Sequence, residues 1–255
     1  MTEHVTIAQD GGILTLTMNR PDKKNALTDA MYGVLADAMA GAQTDKDVRV
    51  VVMRGAGDMF CAGNDIGDFI IAAGGGDVAQ ANVFRFIRLL GEAAKPLIAG
   101  VQGRAVGIGT TMLLHCDYVV LAEDAKLSAP FATLGLVPEA ASSKLLPALI
   151  GHSRAFAMMA MGKAMSAREA AACGLANEVC PADGMDEAVA SAAMQIATLP
   201  PGAVQATKAL MRDTDAIGAR METEIEIFGK RLQTPEAREA FMAFAQKRAP
   251  DFSQF

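Results

Sequence analysis

Apolar and polar residues alternate over positions 4–9 and again over 13–18, on either side of Asp10-Gly11-Gly12. A period of two sends successive side chains to opposite faces of a strand, and glycine supplies the positive φ of a tight reversal, so the opening predicts a β-hairpin. The period then changes. Thr28 stands where its hydroxyl could accept from a first-turn N–H, ahead of a helix predicted through about Gly41. The apolar run Val48–Met53 stops at Gly55-Ala56-Gly57 and reads as a buried strand. Leu97–Val101 and Tyr118–Leu121 repeat that pattern, with a short apolar helix, about Ile108–His115, between them. Such alternation predicts β-α-β units whose strands need cover on both faces, which makes the fold class α/β.

From Ser142 onward the pattern reads as almost wholly helical. Ser166-Ala167-Arg168-Glu169 fits a capping box, Leu199-Pro200-Pro201-Gly202 interrupts the chain, and Thr234-Pro235-Glu236 puts proline at a first helical position. Residues 1–200 are therefore expected to form an α/β core and 201–255 a helical appendage. Gly74-Gly75-Gly76 lies between helical stretches, as a linker or an access loop would.

Composition narrows the function. A chain of 255 residues, 51% hydrophobic, can bury a large core. Its net charge of −6 argues against a broad phosphate-tracking surface, so no nucleic acid partner is expected. Arg20, Lys23 and Lys24 form the only dense basic cluster near the N-terminus, either a solvated turn or a local counter-charge for a polyanion. The first residues lack a leader pattern and no apolar run reaches ~18 residues, so a cytoplasmic protein with no membrane partner is expected. Cys61, Cys116, Cys173 and Cys180 match no zinc or redox spacing and are read as reduced packing residues. His4, His115 and His152 share no helical face and are read as structural. Gly107-Ile108-Gly109 begins like a dinucleotide fingerprint, but Met112 fills the third glycine position, and neither a Walker A loop nor a G-x-S-x-G elbow occurs.

Three stretches carry candidate chemistry. Phe60-Cys61-Ala62-Gly63-Asn64-Asp65 and Gly103–Gly109 are glycine-rich turns after core strands, and small residues let a ligand reach main-chain N–H groups. Two such donors on one oxygen would make an oxyanion hole, although tight strand-to-helix turns also look like this. In Leu134–Ser143 a lone carboxylate, Glu139, sits among apolar and small residues. Desolvation there would raise its pKa and suit it to carry a proton between two transfers; equally, it could precede a helix and complement the dipole.

Taken in order, these stretches resemble the crotonase, or enoyl-CoA hydratase/isomerase, superfamily along nearly the whole chain. Asn19-Arg20-Pro21 with Asn25-Ala26-Leu27 looks like its first signature and Phe60–Asp65 like its F-x-A-G-x-D turn. Lys95–Ala99, Gly103, Gly107-Ile108-Gly109 and Cys116-Asp117 are similar to its central signature, and Lys247–Phe252 to its close. The resemblance implies a crotonase-type spiral of β-β-α repeats with a helical C-terminal region, assembled as a homotrimer or hexamer. It implies an acyl-CoA thioester as partner, with coenzyme A belonging to the substrate and no cofactor or metal required. The N–H groups of Ala62 and Ile108 would form the oxyanion hole. Lys23, Lys24, Ala26, Leu27, Asn64, Asp65 and Ile66 would line the coenzyme A groove, Gly107, Thr111 and Phe131 would also touch substrate, and Phe244 and Lys247 would reach a neighbouring subunit's ligand.

The departures from the family pattern bear on the reaction. Hydratases of the superfamily carry glutamates where this chain has Thr111 and Phe131, and adding water needs groups that deprotonate it and protonate carbon. Pro130-Phe131 leading into Leu134–Ser143 resembles instead the peroxisomal and fungal type of Δ3,Δ2-enoyl-CoA isomerase, which implies Glu139 as base. The alternatives are another crotonase activity on a CoA thioester, such as a specialised hydratase, hydrolase or decarboxylase, or a non-catalytic acyl-CoA-binding member.

Overall fold

The computed structural model describes residues 3–68 and 81–255, so the Gly74–Gly76 segment lies outside the described residues. The hairpin forms where alternation predicts it, β1 (Val5–Asp10) pairing antiparallel with β2 (Ile13–Met18). There follow β3 (Val50–Gly55), β4 (Leu97–Val101), β5 (Arg104–Val106), β6 (Tyr118–Ala122), β7 (Lys126–Ser128), β8 (Met165–Ser166) and β9 (Glu178–Cys180). The main sheet runs β1-β2-β3-β4-β6-β9 and is parallel after the hairpin; β5, β7 and β8 form a small second sheet. Alternate residues of β3 face different cores: Val51 and Met53 join the larger apolar cluster, and Val50 and Val52 a smaller one with Met185 and Val189. A strand covered on both sides must read as a continuous apolar run, as Val50–Met53 does.

The ten helices named here are α1 (Asp29–Thr44), α2 (Asn82–Glu92), α3 (Ile108–Thr111), α4 (Ser142–Ile150), α5 (His152–Met159), α6 (Ala167–Ala172), α7 (Met185–Ala197), α8 (Pro201–Met211), α9 (Thr214–Leu232) and α10 (Pro235–Ala245). Their starts follow local chemistry. The Thr28 hydroxyl accepts from Met31 N–H at 3.3 Å, the Ser166–Glu169 capping box is complete, and Thr234 caps α10 with Pro235 at its first position. The helix expected over 108–115 divides into α3 and a 3-10 turn, Met112–His115. α7 covers the smaller core, while α1, α2 and α9 stack on the other side, with Tyr32 against Phe86 at 5.7 Å and Phe84 against Phe228 at 6.0 Å.

Residues 142–200 are less helical than expected, because β8 and β9 interrupt them. Strands of two or three residues are too short to show a period, and β9 is defined by its pairing with β6. Asp117 ties distant parts together: its Oδ2 accepts from Leu97 N–H at 2.8 Å and from Lys208 Nζ of α8 at 2.6 Å. Among the described residues no helix is long and apolar enough to cross a membrane.

Candidate active site

Two glycine turns meet at one end of the sheets. The chain through Cys61 runs beside β5, with Cys61 N–H on the Arg104 carbonyl at 3.1 Å and Val106 N–H on the Cys61 carbonyl at 2.9 Å. Gly107 has φ 57° and ψ −122°, a left-handed combination that a side chain resists. A Cβ built on it would lie 4.0 Å from Gly63 Cα, so the two turns touch backbone to backbone. At Gly109 the approach is closer still, a Cβ there falling 2.9 Å from the Cys61 carbonyl oxygen.

The amides at this contact differ in availability. Ala62 N–H donates to the Lys24 carbonyl at 2.9 Å, so the donor expected from sequence is already engaged. Asn64 N–H has no acceptor among the described residues, its neighbours being fixed by Leu27 N–H on Gly63 O and Asp65 N–H on Leu27 O, both at 2.8 Å. Thr110 and Thr111 N–H turn back onto the Gly107 carbonyl, and Ile108 N–H, first in α3, has no described acceptor. Among the described residues the unengaged amides here include those of Asn64 and Ile108, each directly following one of the touching glycines, and that of Gly109, second in α3. The Asn64 side chain is held by the buried Tyr32, whose hydroxyl donates to its Oδ1.

Glu139 is 2% exposed. Thr111 Oγ1 donates to its Oε1 at 2.5 Å, and Oε2 has no partner among the described residues. Burial pushes the carboxyl pKa up to about 8; the Thr111 hydrogen bond opposes this and the nearby Glu224 adds to it. Thr111 and Ile108 share α3, so the Thr111 hydrogen bond ties the Glu139 carboxyl to the helix that begins with the Ile108 amide. Although Glu139 precedes α4, no helix N–H bonds to its carboxylate, so the helix-flanking alternative lacks its contact. The backbone behind it is unusual: Ala140 and Ala141 both have left-handed φ, 58° and 54°, at a cost of roughly 1–2 kcal/mol each. Ser142 N–H and Oγ close onto the Glu139 carbonyl at 3.0 and 2.5 Å, and Ser143 N–H donates to Glu224 Oε1 at 2.9 Å.

The basic cluster near residue 20 serves the fold in part. Arg20 Nη1 donates to Asp65 Oδ2 at 2.7 Å, holding that carboxyl below the usual range, and to the Ala26 carbonyl at 3.2 Å. Lys24 pairs with Asp58 at 2.8 Å, and Lys23 is exposed. Asn25 is fully buried, accepting from Arg20 N–H and donating to the Ala56 and Met59 carbonyls. A cavity of about 560 Å³ beside this segment is lined by Lys24, Asp58, Ala62, Arg104, Asp124 and Lys126 among others. Arg104 and Lys126 were invisible as a pair in the sequence because only the β5–β7 register makes them partners.

The other candidates lie apart from this cavity's lining or only near it. Leu27 is buried, Ala26 and Ile66 are half-buried, and Phe131 sits in the large apolar cluster. Thr111 is 1% exposed, so its described contact is Glu139. Phe244 and Lys247 are exposed on the C-terminal segment.

The layered sheets and touching glycine turns define a crotonase-fold protein. The enoyl-CoA hydratase/isomerase from Pseudoalteromonas atlantica T6c superposes with a TM-score of 0.92 at 38% identity, covering 98% of this chain and 100% of that one. The chain belongs to the enoyl-CoA hydratase/isomerase family, whose profile matches residues 8–255. It is 37% identical to Enoyl-CoA delta isomerase 2 of Rattus norvegicus over 96% of its own length, and spans 64% of the length of that relative. It is 33% identical to 2,3-dehydroadipyl-CoA hydratase of Escherichia coli (strain K12), covering 96% of this chain and 97% of that protein.

Proposed function

We propose that this chain moves a double bond from Δ3 to Δ2 of an enoyl-CoA thioester, with Glu139 as its single base. The observation that carries the reading is a buried carboxyl with one oxygen fixed by Thr111 and the other without a partner. Ionised Glu139 takes a proton from the α-carbon through Oε2. The electron pair delocalises through the thioester carbonyl and the double bond, giving a dienolate. Asn64 and Ile108 N–H groups stabilise the oxygen of that dienolate, with Asn64 taking the place expected of Ala62 because Ala62 N–H is engaged. The protonated Glu139 then returns the same proton at the γ-carbon, which completes the shift without other reactants. A pKa of about 8 suits a group that must hold the proton between the two transfers.

Other features support this reading over hydration. The Thr111 hydroxyl is committed to Glu139 and Phe131 has no proton to exchange, so the second carboxylate that would activate water is missing. The rat relative is an enoyl-CoA isomerase by name. For the coenzyme A portion, the cavity has Lys24, Arg104 and Lys126 against Asp58 and Asp124, and with Lys24 paired to Asp58 it is Arg104 and Lys126 that offer positive charge to phosphates. The reading includes assembly as a homotrimer or hexamer, supported by the strong exposure of Leu210, Met211 and Phe244 in the C-terminal region.

The test is Glu139→Gln, which keeps size and polarity but removes the base. Isomerisation of 3-enoyl-CoA and exchange of the α-proton with deuterated solvent should fall by about 10²–10⁴-fold while coenzyme A affinity stays unchanged. A variant within a few-fold of wild type, or a wild type that hydrates 2-enoyl-CoA faster than it isomerises 3-enoyl-CoA, would overturn the reading.

A further inference from the structure

The turn that carries Glu139 has two consecutive left-handed alanines, a shape the chain does not favour, so something outside it must hold it. Ala140 offers its carbonyl to the fully buried His115, whose Nε2 lies 2.8 Å away. The other ring nitrogen, Nδ1, is 2.9 Å from Arg212 Nη2, and Arg212 Nη1 donates to the His115 carbonyl at 3.2 Å. A guanidinium has only donors, so Nδ1 must be the bare acceptor and Nε2 must carry the proton it gives to Ala140. The imidazole stays neutral because burial, and then the Arg212 and Lys208 charges, bring its pKa down to about 3.

The arrangement converges on Glu139 from one stretch of chain. Thr111 and His115 are four residues apart on the helical run after Gly107, one gripping the carboxylate and the other the next residue's carbonyl. Arg212 reaches His115 from the end of α8, and Lys208 anchors that helix to Asp117 and to the Lys95 carbonyl. We propose that His115 and Arg212 are positioning residues for Glu139: Arg212 selects the His115 tautomer, His115 pins the Ala140 carbonyl, and the pinned turn aims Oε2 at the substrate. This rests on the reading of Glu139 as base. The titratable groups around the two sites are Glu224 and Tyr32 near Glu139, Arg212 and Lys208 near His115, and Asp117 and Cys116 beside those two cations.

The experiment compares His115→Leu, His115→Gln, Arg212→Met and Arg212→Lys in the full chain, with folding followed by circular dichroism. His115→Leu and Arg212→Met should lower kcat for 3-enoyl-CoA by roughly 10–100-fold, the scale of a small misplacement of reacting groups, while KM moves little. They should also displace the Glu139 titration midpoint from about 8, read by carbon-13 NMR of labelled glutamate and assigned with Glu139→Gln. His115→Gln and Arg212→Lys keep a donor at each place and should restore part of both. In the wild type, nitrogen-15 shifts should report Nε2–H and a bare Nδ1. Wild-type kcat and midpoint in folded His115→Leu or Arg212→Met would overturn the proposal, as would the opposite tautomer or a glutamine variant no better than leucine. If the leucine variant does not fold, the Arg212 variants and the tautomer decide. The midpoint and tautomer need no turnover, so they judge this pair even if wild-type enzyme fails to exchange the α-proton, an outcome that would sink the base assignment alone.

Discussion

With its pKa pushed up to about 8, Glu139 keeps its proton in the folded chain over a range in which the unfolded chain has released it. Between the ordinary value of 4.5 and about 8 the native state binds more protons, so this group's contribution to stability falls as pH rises and is level outside that window. Glu139→Gln is neutral in both states and loses that decline. Relative to wild type the variant should therefore gain stability from pH 5 to pH 8, by on the order of 1 kcal/mol per unit, in urea melts at several pH values. The difference between the two chains removes His115, whose folded value of about 3 gives the opposite slope below its ordinary 6.5. Parallel stability curves would refute the buried, protonated carboxyl. On the proposed role of Glu139 as base, activity has the reverse dependence, since only the ionised carboxylate can take a proton, and the rate should climb with pH through its midpoint. Thr111→Val removes the one hydrogen bond that favours the charged form, so that midpoint should move further up in a pH–rate profile.

At the scale of elements, what matters is how closely the Cys61 turn and α3 approach. A methyl group at Gly109 would fall 2.9 Å from both the Cys61 Cβ and its carbonyl oxygen, and neither is a flexible chain end that can step aside. Gly109→Ala should push the Asn64 and Ile108 amides apart and lower kcat by at least ~10²-fold, the scale of losing one oxyanion donor, provided that circular dichroism shows a folded chain. An active Gly109→Ala would mean that this contact does not set the site. The helix boundaries nearby were legible because they rest on single side chains: Thr28, Ser166 and Thr234 each accept from a first-turn N–H. The strands β5, β7, β8 and β9 were not, since two or three residues define no period and pairing partners lie far away in the chain.

For the whole molecule, charge and exposed apolar surface carry the expectations. The chain is acidic overall and the cavity also holds Asp58 and Asp124, so the proposed attraction for a polyanion rests on Arg104 and Lys126, Lys24 being paired to Asp58. Affinity for free coenzyme A should weaken with added salt, and Lys126→Glu should weaken it further at low salt, both measurable by calorimetry. Salt-independent affinity would remove phosphate contacts from the reading. Leu210 is 90% exposed and Met211 79%, which fits a surface that another copy covers. Light scattering at micromolar concentration should return three or six times the 26.6 kDa of the chain, and a monomer would contradict the proposed assembly.

The hairpin, the main parallel strands, the helix caps and the apolar setting of Glu139 follow from neighbouring residues, and period, turn chemistry and desolvation made them readable in order along the chain. The choice of which amide is free was not. Ala62 and Asn64 look equally small and turn-like in sequence, and only the pairing of residues 24–27 with 62–65 occupies one N–H and leaves the other open. Likewise His115 shows no partner within its own stretch, because Ala140 and Arg212 are 25 and 97 residues away. Local patterns report what a segment prefers by itself. Which donors are used up, and which buried carboxyls, Glu139 and Glu224, are left with a bare oxygen, follow from contacts between distant segments and belong to the tertiary structure.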